Sequence, residues 1–526
     1  MTNVSQAWKD NQTKTLVNES YVEISLDITD PDIREDATLD DNGSIYISNT
    51  AQAINGIDKV FVPYCTLEQN IWLLDNSRNA IPSIEYGDCG YIGNGLSDSN
   101  CLFHSSPLLS INFTKVHLNS VPAITITWSS IFNEFATDFI ITTYNGNNIV
   151  NVKEVIGNNS VKSIVEMEIV DFDKITIQIL KWCLPNKRAR IEDIFIGMNK
   201  VYTKKELYSY EHTKIIDPIS ASLPKDEILF TIDNISNSYN PLNPNGLSKY
   251  LMQRQEVITR YGYKLANDKI EWIKGGSFYL FEWDSPQNGN TAIFKARDLF
   301  EFLTTMYLDG VYTPEGVSLY TLAERLFEKA NLPLHNDGSV KWKIDESLKE
   351  IYTTAPLPVD TIANNLQLIA NASCCVIYQD RNGIICIEPI KNDITDYEIS
   401  LKNSYGKPNL EMSKPLKEII ISYYDYSEDE PTETEIIIPN ELNGETIVVI
   451  NPLITSSDRA YIVGHWMRNY LKNRMVLVSS WRADPRLDAL DIVKNINEYN
   501  THNVRMTEVN YSYNGAFRGT CEGRVI

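Results

Sequence analysis

The sequence is poor in the residues that build metal sites and disulfides. Its 526 residues include only six histidines, which are scattered, and eight cysteines, none of which forms a Cys-x-x-Cys pair. Structural zinc sites need closely spaced ligands of this kind, so we predict no metal site and no cofactor. We expect the cysteines to be buried thiols in a reducing compartment.

Long apolar runs are missing as well. No stretch of about 18 apolar residues, the length that suggests a transmembrane helix, occurs in the chain. The opening residues, MTNVSQAWKDNQTKTL, lack the apolar core of a signal peptide. We therefore expect a chain that is made in the cytoplasm and has no membrane-spanning segment.

Motifs of nucleophilic and nucleotide chemistry are also missing. There is no Gly-x-Ser-x-Gly elbow, and the run GDCGYIGNG lacks the lysine of a phosphate-binding loop. Glycosidase carboxylates leave no sequence signature, and 69 acidic residues offer too many pairs to choose from. In SWRADPRLDALDIV, one interpretation makes Asp484 or Asp488 a catalytic acid, and the other pairs Arg482 and Arg486 with nearby carboxylates. We predict that the chain is not an enzyme.

Positive charge is scarce. The 69 acidic residues outnumber 47 Lys and Arg, which gives a formal net charge of -22 and a pI near 4.8. Nucleic-acid partners need clustered cations, so this balance argues against them. The exception is Lys181–Gly197, KWCLPNKRARIEDIFIG, where basic residues crowd together. This segment is either a cationic binding patch or the rim of an ordinary domain.

Apolar and aromatic residues, by contrast, are plentiful. Hydrophobic residues make up 43% of the chain and charged residues 22%, a composition typical of folded globular proteins. The 29 Tyr and 9 Trp favour β-structure and contact surfaces. A chain of 526 residues is too long for a single core, so we predict three or four domains.

Short strands dominate the sequence pattern. Tyr21–Thr29 alternates with a period of two, and Ser44–Ser48 follows as a second strand. Residues 61–200 contain about seven short runs separated by turn residues, which is typical of a β-sandwich or jelly roll. Residues 205–300 are again rich in strands. Because two strands cannot form a domain alone, we predict that the strands of 15–60 and the later ones share one sheet, interrupted by the sandwich.

Helical periodicity begins near residue 297. We predict one helix at Asp298–Leu308, a second capped by Ser318 and a third capped by Asp360. The turn QDRNG indicates a hairpin between Cys374–Tyr378 and Ile384–Ile387, since Asn-Gly favours such turns.

The last hundred residues return to strands around one helix. The helix Asp458–Asn473 is expected to turn Ile462, Trp466 and Tyr470 inward. The strands that follow it are Met475–Trp481, Val504–Tyr513 and Gly519–Val525. The fold class we predict is therefore mainly β, of the α+β type.

A series of motifs over residues 205–526 resembles tail hub and baseplate proteins of bacteriophages. In chain order they are F-x-I-D-N-x-x-x-x-Y-N-P (Phe230–Pro241), R-Y-G-Y (Arg260–Tyr263), GGSFYLFEW, KARDLFEFL, DTIANNLQLIANASCCVIYQDRNGIICIEP (Asp360–Pro389), and NPLI, WRADPRL and EGR around Asn451, Trp481 and Arg524. The opening strands at 15–50 belong to the same resemblance, which depends on the order of all the motifs. It implies a split β-barrel, an α/β module and a C-terminal β-rich domain.

A second resemblance concerns the interrupting sandwich. TLEQNIWLLDNS (Thr66–Ser77) looks like a module of tail and baseplate proteins from phages of Gram-positive hosts. Residues 108–200 resemble a galactose-binding-like β-sandwich through ITITW, DFIITTYNGNNIV, DFDKITIQI and the basic segment. Relatives of this kind bind sugars in loops at one end, commonly on an aromatic platform with flanking hydrogen-bond donors.

The second resemblance makes four residues candidates for a sugar site: Trp182, Asn186, Lys187 and Arg188. The alternative is structural: Trp182 fills the core, and the basic residues meet acidic neighbours on an adjacent domain or subunit. Trp128, in the middle of an apolar strand, is expected in the core.

Together the resemblances imply a structural component of a phage tail tip or baseplate, or of a tail-like bacteriocin particle, that acts by assembly with other tail proteins. They imply a homo-oligomer, with a trimer favoured over a hexamer. The alternative is a carbohydrate-binding tail protein that contacts the host cell-wall polysaccharide through the sandwich. The domains implied are the first barrel strands at 1–60, the inserted sandwich at 61–203, the rest of the barrel at 204–300, the α/β module at 301–412 and the C-terminal domain at 413–526.

Overall fold

The structure is a computed structural model that describes residues 1–14, 17–30, 32–40, 43–45, 47–54, 65–66, 68, 89–265, 269–285, 290–335, 339–428, 431–441, 443–496 and 499–526. Its α-helices are α1 (Gln6–Thr13), α2 (Ile33–Asp36), α3 (Leu319–Ala330), α4 (Ile362–Ala372) and α5 (Ser457–Leu471). Short 3-10 helices lie at Thr50–Ile54, Ser248–Tyr250, Leu299–Phe302 and Glu346–Glu350. Among the described residues, no helix has the length and apolar character needed to cross a membrane.

Strands are the main regular structure of the described chain, which confirms the mainly β prediction. The first are β1 (Ser20–Ile28), β2 (Thr38–Leu39), β3 (Tyr91–Leu96), β4 (Leu108–His117), β5 (Val121–Thr127), β6 (Ala136–Asn145), β7 (Asn148–Val155), β8 (Lys162–Ile169), β9 (Phe172–Trp182), β10 (Arg188–Ile191), β11 (Asp193–Ile196) and β12 (Met198–Tyr202). The middle ones are β13 (Leu207–Ile215), β14 (Lys225–Asp233), β15 (Glu256–Lys264), β16 (Ile270–Asp284), β17 (Thr291–Arg297), β18 (Met306–Tyr307), β19 (Val317–Ser318), β20 (Trp342–Ile344), β21 (Tyr352–Thr353), β22 (Asp360–Thr361), β23 (Val376–Gln379) and β24 (Ile385–Glu388). The last are β25 (Ile394–Ser400), β26 (Asn409–Met412), β27 (Leu416–Asp425), β28 (Thr432–Pro439), β29 (Glu445–Val449), β30 (Met475–Trp481), β31 (Ile492–Ile496), β32 (Thr501–Tyr513) and β33 (Phe517–Val525).

The largest sheet joins the two ends of the chain. Within the described residues it has thirteen strands, and its main path runs β12-β1-β15-β16-β17-β14-β13-β32-β33-β30-β26. Strand β1 pairs antiparallel with β15, which sets Ser20 opposite Tyr263 and Leu26 opposite Val257. The predicted pairing of the first strand with strands beyond residue 205 is therefore confirmed, and the sandwich interrupts this sheet between β1 and β12.

The path of this sheet is open at both ends. In the described chain β12 pairs only with β1, and β26 pairs only with β30, so the split sheet does not close into the barrel that the resemblance implied. Strand β32 pairs with β13 and sets Tyr513 opposite Tyr210. Strands from the region assigned to a C-terminal domain thus belong to the same sheet, while the domain boundaries themselves stay predictions.

The N-terminal helix α1 is an element that the sequence pattern did not predict. Ser5 caps it by accepting a hydrogen bond from the backbone N–H of Trp8 at 3.3 Å. Trp8 is fully buried, and its ring packs edge-on against Tyr263 with centroids 4.9 Å apart. Its Nε1 donates to Asp484 Oδ1 at 3.3 Å. With Ala and Trp as its apolar residues, the segment QAWKDNQT shows no helical period, so its helix depends on this tertiary contact.

The inserted sandwich has its own core. Its sheets are the five-stranded β2-β4-β9-β6-β7 and the three-stranded β11-β5-β8, with β3 and β10 as a further pair. Trp128, Phe139 and Trp182 are fully buried between them. The Trp128 ring lies 5.0 Å from Phe139 and 5.9 Å from Trp182, centroid to centroid. The predicted core position of Trp128 is confirmed.

The helices α3, α4 and α5 share a second core with two small sheets. Ser318 caps α3 as predicted, since its Oγ accepts from the backbone N–H of Thr321 at 3.1 Å. The predicted hairpin is confirmed as β23 and β24, with Gly383 in the left-handed conformation that its turn requires. Helix α5 packs on β27 and β28 of the three-stranded sheet β28-β27-β29.

Two helix predictions near residue 300 and residue 360 were wrong in detail. Asp298–Leu308 forms only the 3-10 turn Leu299–Phe302 and the short strand β18. The buried residues Leu299, Leu303 and Tyr307 stand at four-residue steps, so the apolar spacing alone suggested a helix that the chain does not form. The helix α4 is capped by Thr361 and not by Asp360, which lies in the short strand β22.

The inward face of α5 differs in part from the prediction. Ile462 is 53% exposed, whereas Trp466 and Tyr470 are partly buried and pack against the second core as predicted. The fully buried residues of the helix are Ala460, Val463, Gly464 and Met467. The helix lies close to the sheet at Gly464, because a Cβ there would lie 2.7 Å from Ile438 Cγ1.

Some predictions fall on residues outside the described ranges. Ser44–Ser48 is not a strand in the residues that are described there, and Ser44 forms an isolated bridge with Gly93. Most of the stretch TLEQNIWLLDNS and the first two residues of GDCGYIGNG lie outside the described residues.

Candidate functional site

The basic segment connects the last strands of the sandwich. Strand β9 ends at Trp182, a turn follows with Asn186 in the left-handed conformation, and β10 begins at Arg188. The backbone N–H of Asn186 donates to the carbonyl of Ser97 at 2.9 Å. The four residues predicted for a sugar site therefore belong to one tight connection, whose geometry is fixed by the sandwich.

Trp182 points into the core of the sandwich. Its indole Nε1 donates to Glu134 Oε2 at 3.2 Å, and both side chains are buried. The same carboxylate lies 3.5 Å from Lys187 Nζ and 3.7 Å from Arg190 Nη1. A sugar platform must offer its ring face to the ligand, so this burial favours the structural alternative for Trp182.

A second buried carboxylate, Glu68, binds the arginines of the segment. Its Oε1 accepts from the backbone N–H of Arg188 at 2.6 Å and from Arg190 Nη1 at 2.8 Å. Burial alone would raise the pKa of Glu68, but the hydrogen bond and charge of Arg190 outweigh burial and lower it. The Glu68 carboxylate therefore stays ionised and compensates the cations beside it.

Arg188 is buried beside this pair. Its Nη1 donates to the backbone carbonyls of Gly93 and Asn94, and burial lowers the pKa of its guanidinium. No sequence pattern indicates the acidic partners of the segment, because Glu68, for example, precedes Arg190 by 122 residues. The cationic patch is thus an internal ion-pair cluster of the sandwich.

The two aspartates considered as catalytic acids are also held in ion pairs. Asp484 pairs with Arg486, whose Nη2 lies 2.6 Å from Oδ2, and both side chains are buried. This agrees with the structural interpretation of Arg486. Arg482 instead donates to the backbone carbonyls of Lys14 and Lys402.

Asp488 belongs to a network of charges, here called the buried charge network, that comprises Lys214, Asp226, Arg381 and Asp488. Lys214 Nζ lies 3.2 Å from Asp226 Oδ2 and 3.3 Å from Asp488 Oδ1. Arg381 Nε donates to Asp488 Oδ2 at 3.0 Å. Burial would raise the pKa of Asp488, but the charges of Lys214 and Arg381 hold it well below its usual range. Asp488 is therefore a permanently ionised structural group, poorly suited to donate a proton.

Asp298 lies near this network in a less favourable setting. Its Oδ1 accepts from the backbone N–H of Phe300 at 3.1 Å, and its Oδ2 has no hydrogen-bond partner among the described residues. Burial raises the pKa of Asp298 well above its usual value, and the charge of Asp226 adds to the effect.

Replacing Asp298 with asparagine is expected to stabilise the protein at neutral pH. Because the folded-state pKa is raised, the stability that Asp298 contributes is complete below the unfolded pKa of about 3.9 and falls as the pH rises towards the folded pKa. Asparagine keeps the capping role without a charge, so the advantage of Asp298→Asn should grow with pH and reach about 1 kcal/mol or more at pH 7. Thermal unfolding at stepped pH measures it, and a difference that does not change with pH would contradict it.

A cavity of about 360 Å³ lies where the sandwich, the large sheet and the α3 region meet. Phe302 forms part of its apolar wall, and Asp30 and Lys341 belong to its polar wall. Asp30 Oδ2 accepts from Asn119 at 3.0 Å, and Lys341 Nζ donates to the hydroxyl of Tyr279 at 2.7 Å. These charged groups are thus engaged within the protein, and we assign the cavity no ligand.

The outermost strand of the five-stranded sandwich sheet is exposed at most of its positions. In the described chain β7 pairs only with β6. Ile149, Val150 and Val152 on it are 61%, 38% and 52% exposed, and Ile156 just beyond it is 73% exposed. Single exposed apolar residues are ordinary, but a run of them along an open strand edge indicates a contact surface. We call β7 with Ile156 the sandwich edge.

Comparisons with known proteins found likenesses of structure. No family model and no curated protein matches the chain. The fold is similar to that of a 43 kDa tail protein of prophage MuSo2 from Shewanella oneidensis, with 13% identity and a TM-score of 0.43 over 62% of this chain and 94% of that one. It is similar to a tail protein from Neisseria meningitidis, with 10% identity and a TM-score of 0.42 over 62% of this chain and 93% of that one.

A further likeness concerns a smaller part of the chain. The family 32 carbohydrate-binding module of C. perfringens NanJ, solved in complex with galactose, is 16% identical with a TM-score of 0.21, over 34% of this chain and 99% of that one. The first two structures are tail proteins, and the third is a carbohydrate-binding module.

Proposed function

We propose that this chain is a structural component of the tail tip or baseplate of a bacteriophage, or of a tail-like bacteriocin particle, and that it acts by assembly rather than by catalysis. The observation that carries the proposal is the sandwich edge, where β7, which pairs only with β6 among the described strands, exposes Ile149, Val150 and Val152 to water. An assembly that covers this strand removes its apolar side chains and its free backbone groups from water. The kind of particle in this proposal, a phage tail or a related particle, comes from the order of the motifs in residues 205–526.

The architecture supports a role as a rigid building block. The large sheet contains the first strand β1 and the last strands β32 and β33. The sandwich is therefore inserted into a sheet that includes strands from both ends of the chain. Buried ion pairs within the sandwich and beneath the large sheet fix the relative positions of distant segments. A block of this kind presents the same surfaces in each copy, as repeated assembly requires.

The partners in this proposal are other tail proteins and further copies of the chain. We propose a homo-oligomer, with a trimer around the tail axis favoured over a peripheral hexamer, located in the virion tail after synthesis in the bacterial cytoplasm. Many copies would add avidity to individually modest contacts. Because Trp182 and Arg188 are buried, we do not extend the proposal to a host glycan.

A charge placed on the sandwich edge is expected to reduce incorporation into particles. In Val152→Lys, the lysine opposes burial of the open strand, while a surface change of this kind alters stability by only about 0.5 kcal/mol. The measurement is the amount of this chain per purified particle, by quantitative mass spectrometry, with immunoelectron microscopy to locate it. We expect a loss of roughly tenfold or more, which corresponds to about 1.4 kcal/mol of contact energy.

Leu242→Lys is the matched control, because Leu242 is 71% exposed in a turn far from the sandwich in sequence. It should incorporate like the wild type. Absence of the wild-type chain from tail particles would refute the proposed function, and equal incorporation of both variants would refute the role of the sandwich edge.

A further inference from the structure

Helix α5 covers one face of the three-stranded sheet β28-β27-β29. Ile419, Ile421 and Ile438 point to the α5 side and are buried there. In the described residues its edge strands β28 and β29 each pair with β27 alone. Because side chains alternate along a strand, the residues between the buried ones form an opposite face that α5 does not cover.

An apolar row crosses that opposite face. Ile420 in the central strand is aligned with Ile437 on one side and with Val448 on the other. Ile437 and Val448 are 56% and 57% exposed, and Ile450, two residues further on, is 67% exposed. Four branched apolar side chains are thus contiguous in space, although they are separated in sequence. We call them, with the face they occupy, the outer face.

Carboxylates border this row. Glu433 and Glu435 precede Ile437 at two-residue steps on β28, so they lie on the outer face with it, and both are exposed. Glu433 accepts a hydrogen bond from the hydroxyl of Tyr424 at 3.2 Å. Among the described lysines and arginines, none pairs with Glu433 or Glu435. At the other end of the sheet, by contrast, Glu418 is bonded to Lys417. The outer face therefore combines an apolar row with uncompensated negative charge.

We propose that the outer face is a docking surface for a different protein, one whose contacting surface places lysine and arginine side chains around an apolar centre. This inference rests on the proposed function, since the partner would be another component of the same particle. Charge decides the kind of partner. A second copy docked through the same face would bring its own Glu433 and Glu435 against these carboxylates, so two outer faces repel each other. A basic rim compensates the two carboxylates while the apolar row is buried.

The test uses intact particles and the free full-length chain. Hydrogen exchange of peptides covering residues 416–450 is compared between the two, and we expect strong protection in the particle. In parallel, a zero-length reagent that joins carboxyl groups to amines is applied to particles, followed by mass spectrometry. We expect Glu433 and Glu435 to be linked to lysines of another protein.

Variants test whether the apolar row and the carboxylates of the outer face are needed for docking. Ile437→Thr keeps a β-branched residue in the strand, and Glu435→Gln removes one charge, so both should fold normally. In cells that express variant and wild type together, each variant should be outcompeted in particles by at least about fivefold. Met412→Thr, at a residue 55% exposed on the edge strand β26, is the matched control and should compete equally with the wild type.

The outcomes separate this inference from the function it rests on. If the chain is in the particle but residues 416–450 exchange as in the free chain, or if the links join two copies of this chain, the inference fails and the proposed function stands. If the chain is absent from particles, both fail. Protection with links to a lysine-bearing partner, together with loss of competitiveness in the variants, supports it.

Discussion

Replacing Lys214 with alanine is expected to lower the free energy of unfolding of the region around it by about 3–5 kcal/mol, the usual cost of removing one partner from a buried ion pair. Its side chain is 4% exposed, and its Nζ lies between Asp226 and Asp488 at 3.2 and 3.3 Å. Nζ also donates to the backbone carbonyl of Gln379 at 2.9 Å. The alanine variant leaves the carboxylates of Asp226 and Asp488 with less compensation, and it removes one of the hydrogen bonds between the β23–β24 hairpin and the large sheet.

The effect should depend on pH in a direction fixed by the two pKa shifts. Burial lowers the pKa of Lys214, but Asp226 and Asp488 outweigh it and raise the pKa above the ordinary value. The stability that Lys214 contributes through its raised pKa is present below the unfolded lysine pKa of about 10.4 and is lost as the pH rises through the folded pKa of Lys214. The lowered pKa of Asp488 contributes stability above about pH 3.9 that is lost as the pH falls through its folded pKa. The cost of Lys214→Ala should therefore be largest near neutral pH and shrink in acid.

Hydrogen exchange is the suitable measurement, because a chain with several cores is not expected to unfold in one step. Peptides from β13 and from the hairpin that carries Gln379 and Arg381 should lose protection in Lys214→Ala. Lys225→Ala is the control, because Lys225 lies on the neighbouring strand β14, is 51% exposed and pairs with Glu227; it should cost no more than about 1 kcal/mol. Equal effects of the two variants would contradict the importance of the buried charge network.

The buried charge network also shows why the sequence predicts the positions of strands better than it predicts which of their side chains are buried. Strand β13 reads LYSYEHTKI, and its alternation places Tyr210, His212 and Lys214 on one face. A sequence rule assigns the charged end of such a face to water, yet all three side chains are buried. The assignment fails because Asp226 and Asp488, which make the burial of Lys214 possible, come from β14 and from a turn 274 residues further along the chain.

The candidate site likewise depends on partners that are distant in the sequence. The crowding of Lys187, Arg188 and Arg190 is visible in the sequence, but of the three residues predicted to line the connecting loop only Lys187 lies there, since Arg188 and Arg190 belong to β10. Whether such cations face a ligand or an internal carboxylate depends on Glu68 and Glu134, which reach them only through the folded sandwich. By contrast, the hairpin β23–β24 and the Ser318 cap were predictable because each depends on neighbouring residues in the chain.

Truncation of Trp182 to alanine is the second large effect we expect, with a loss of about 3–5 kcal/mol in the stability of the sandwich. The ring is fully buried, it packs edge-on against Trp128, and its Nε1 satisfies Glu134. Removing it opens a cavity in the core and withdraws one donor from a buried carboxylate that already binds Lys187. Both consequences act on the same side of the sandwich, so the loss should exceed that of an average core substitution.

Hydrogen exchange of the full chain separates the sandwich from the rest. In Trp182→Ala, peptides from β5 to β9 should lose protection, while those from β15, β16 and β32 should exchange as in the wild type. Trp272→Ala, at a half-buried position on the large sheet, is the control and should leave the sandwich unchanged. Trp182→Phe should cause a loss of protection in the sandwich between that of Trp182→Ala and that of the wild type. It keeps most of the buried ring system but loses the hydrogen bond to Glu134.

The same prediction decides how a sugar-binding experiment on this sandwich must be designed. If Trp182→Ala unfolds the sandwich, a loss of binding to cell-wall polysaccharide in that variant says nothing about contact between the ring and a sugar. Lys187→Ala is the informative change, because Lys187 lies at the rim of the ion-pair cluster and its side chain is 14% exposed. A Trp182→Ala chain whose sandwich stays as protected as the wild type would overturn the structural role of the ring. It would also restore Trp182 as a candidate for ligand contact.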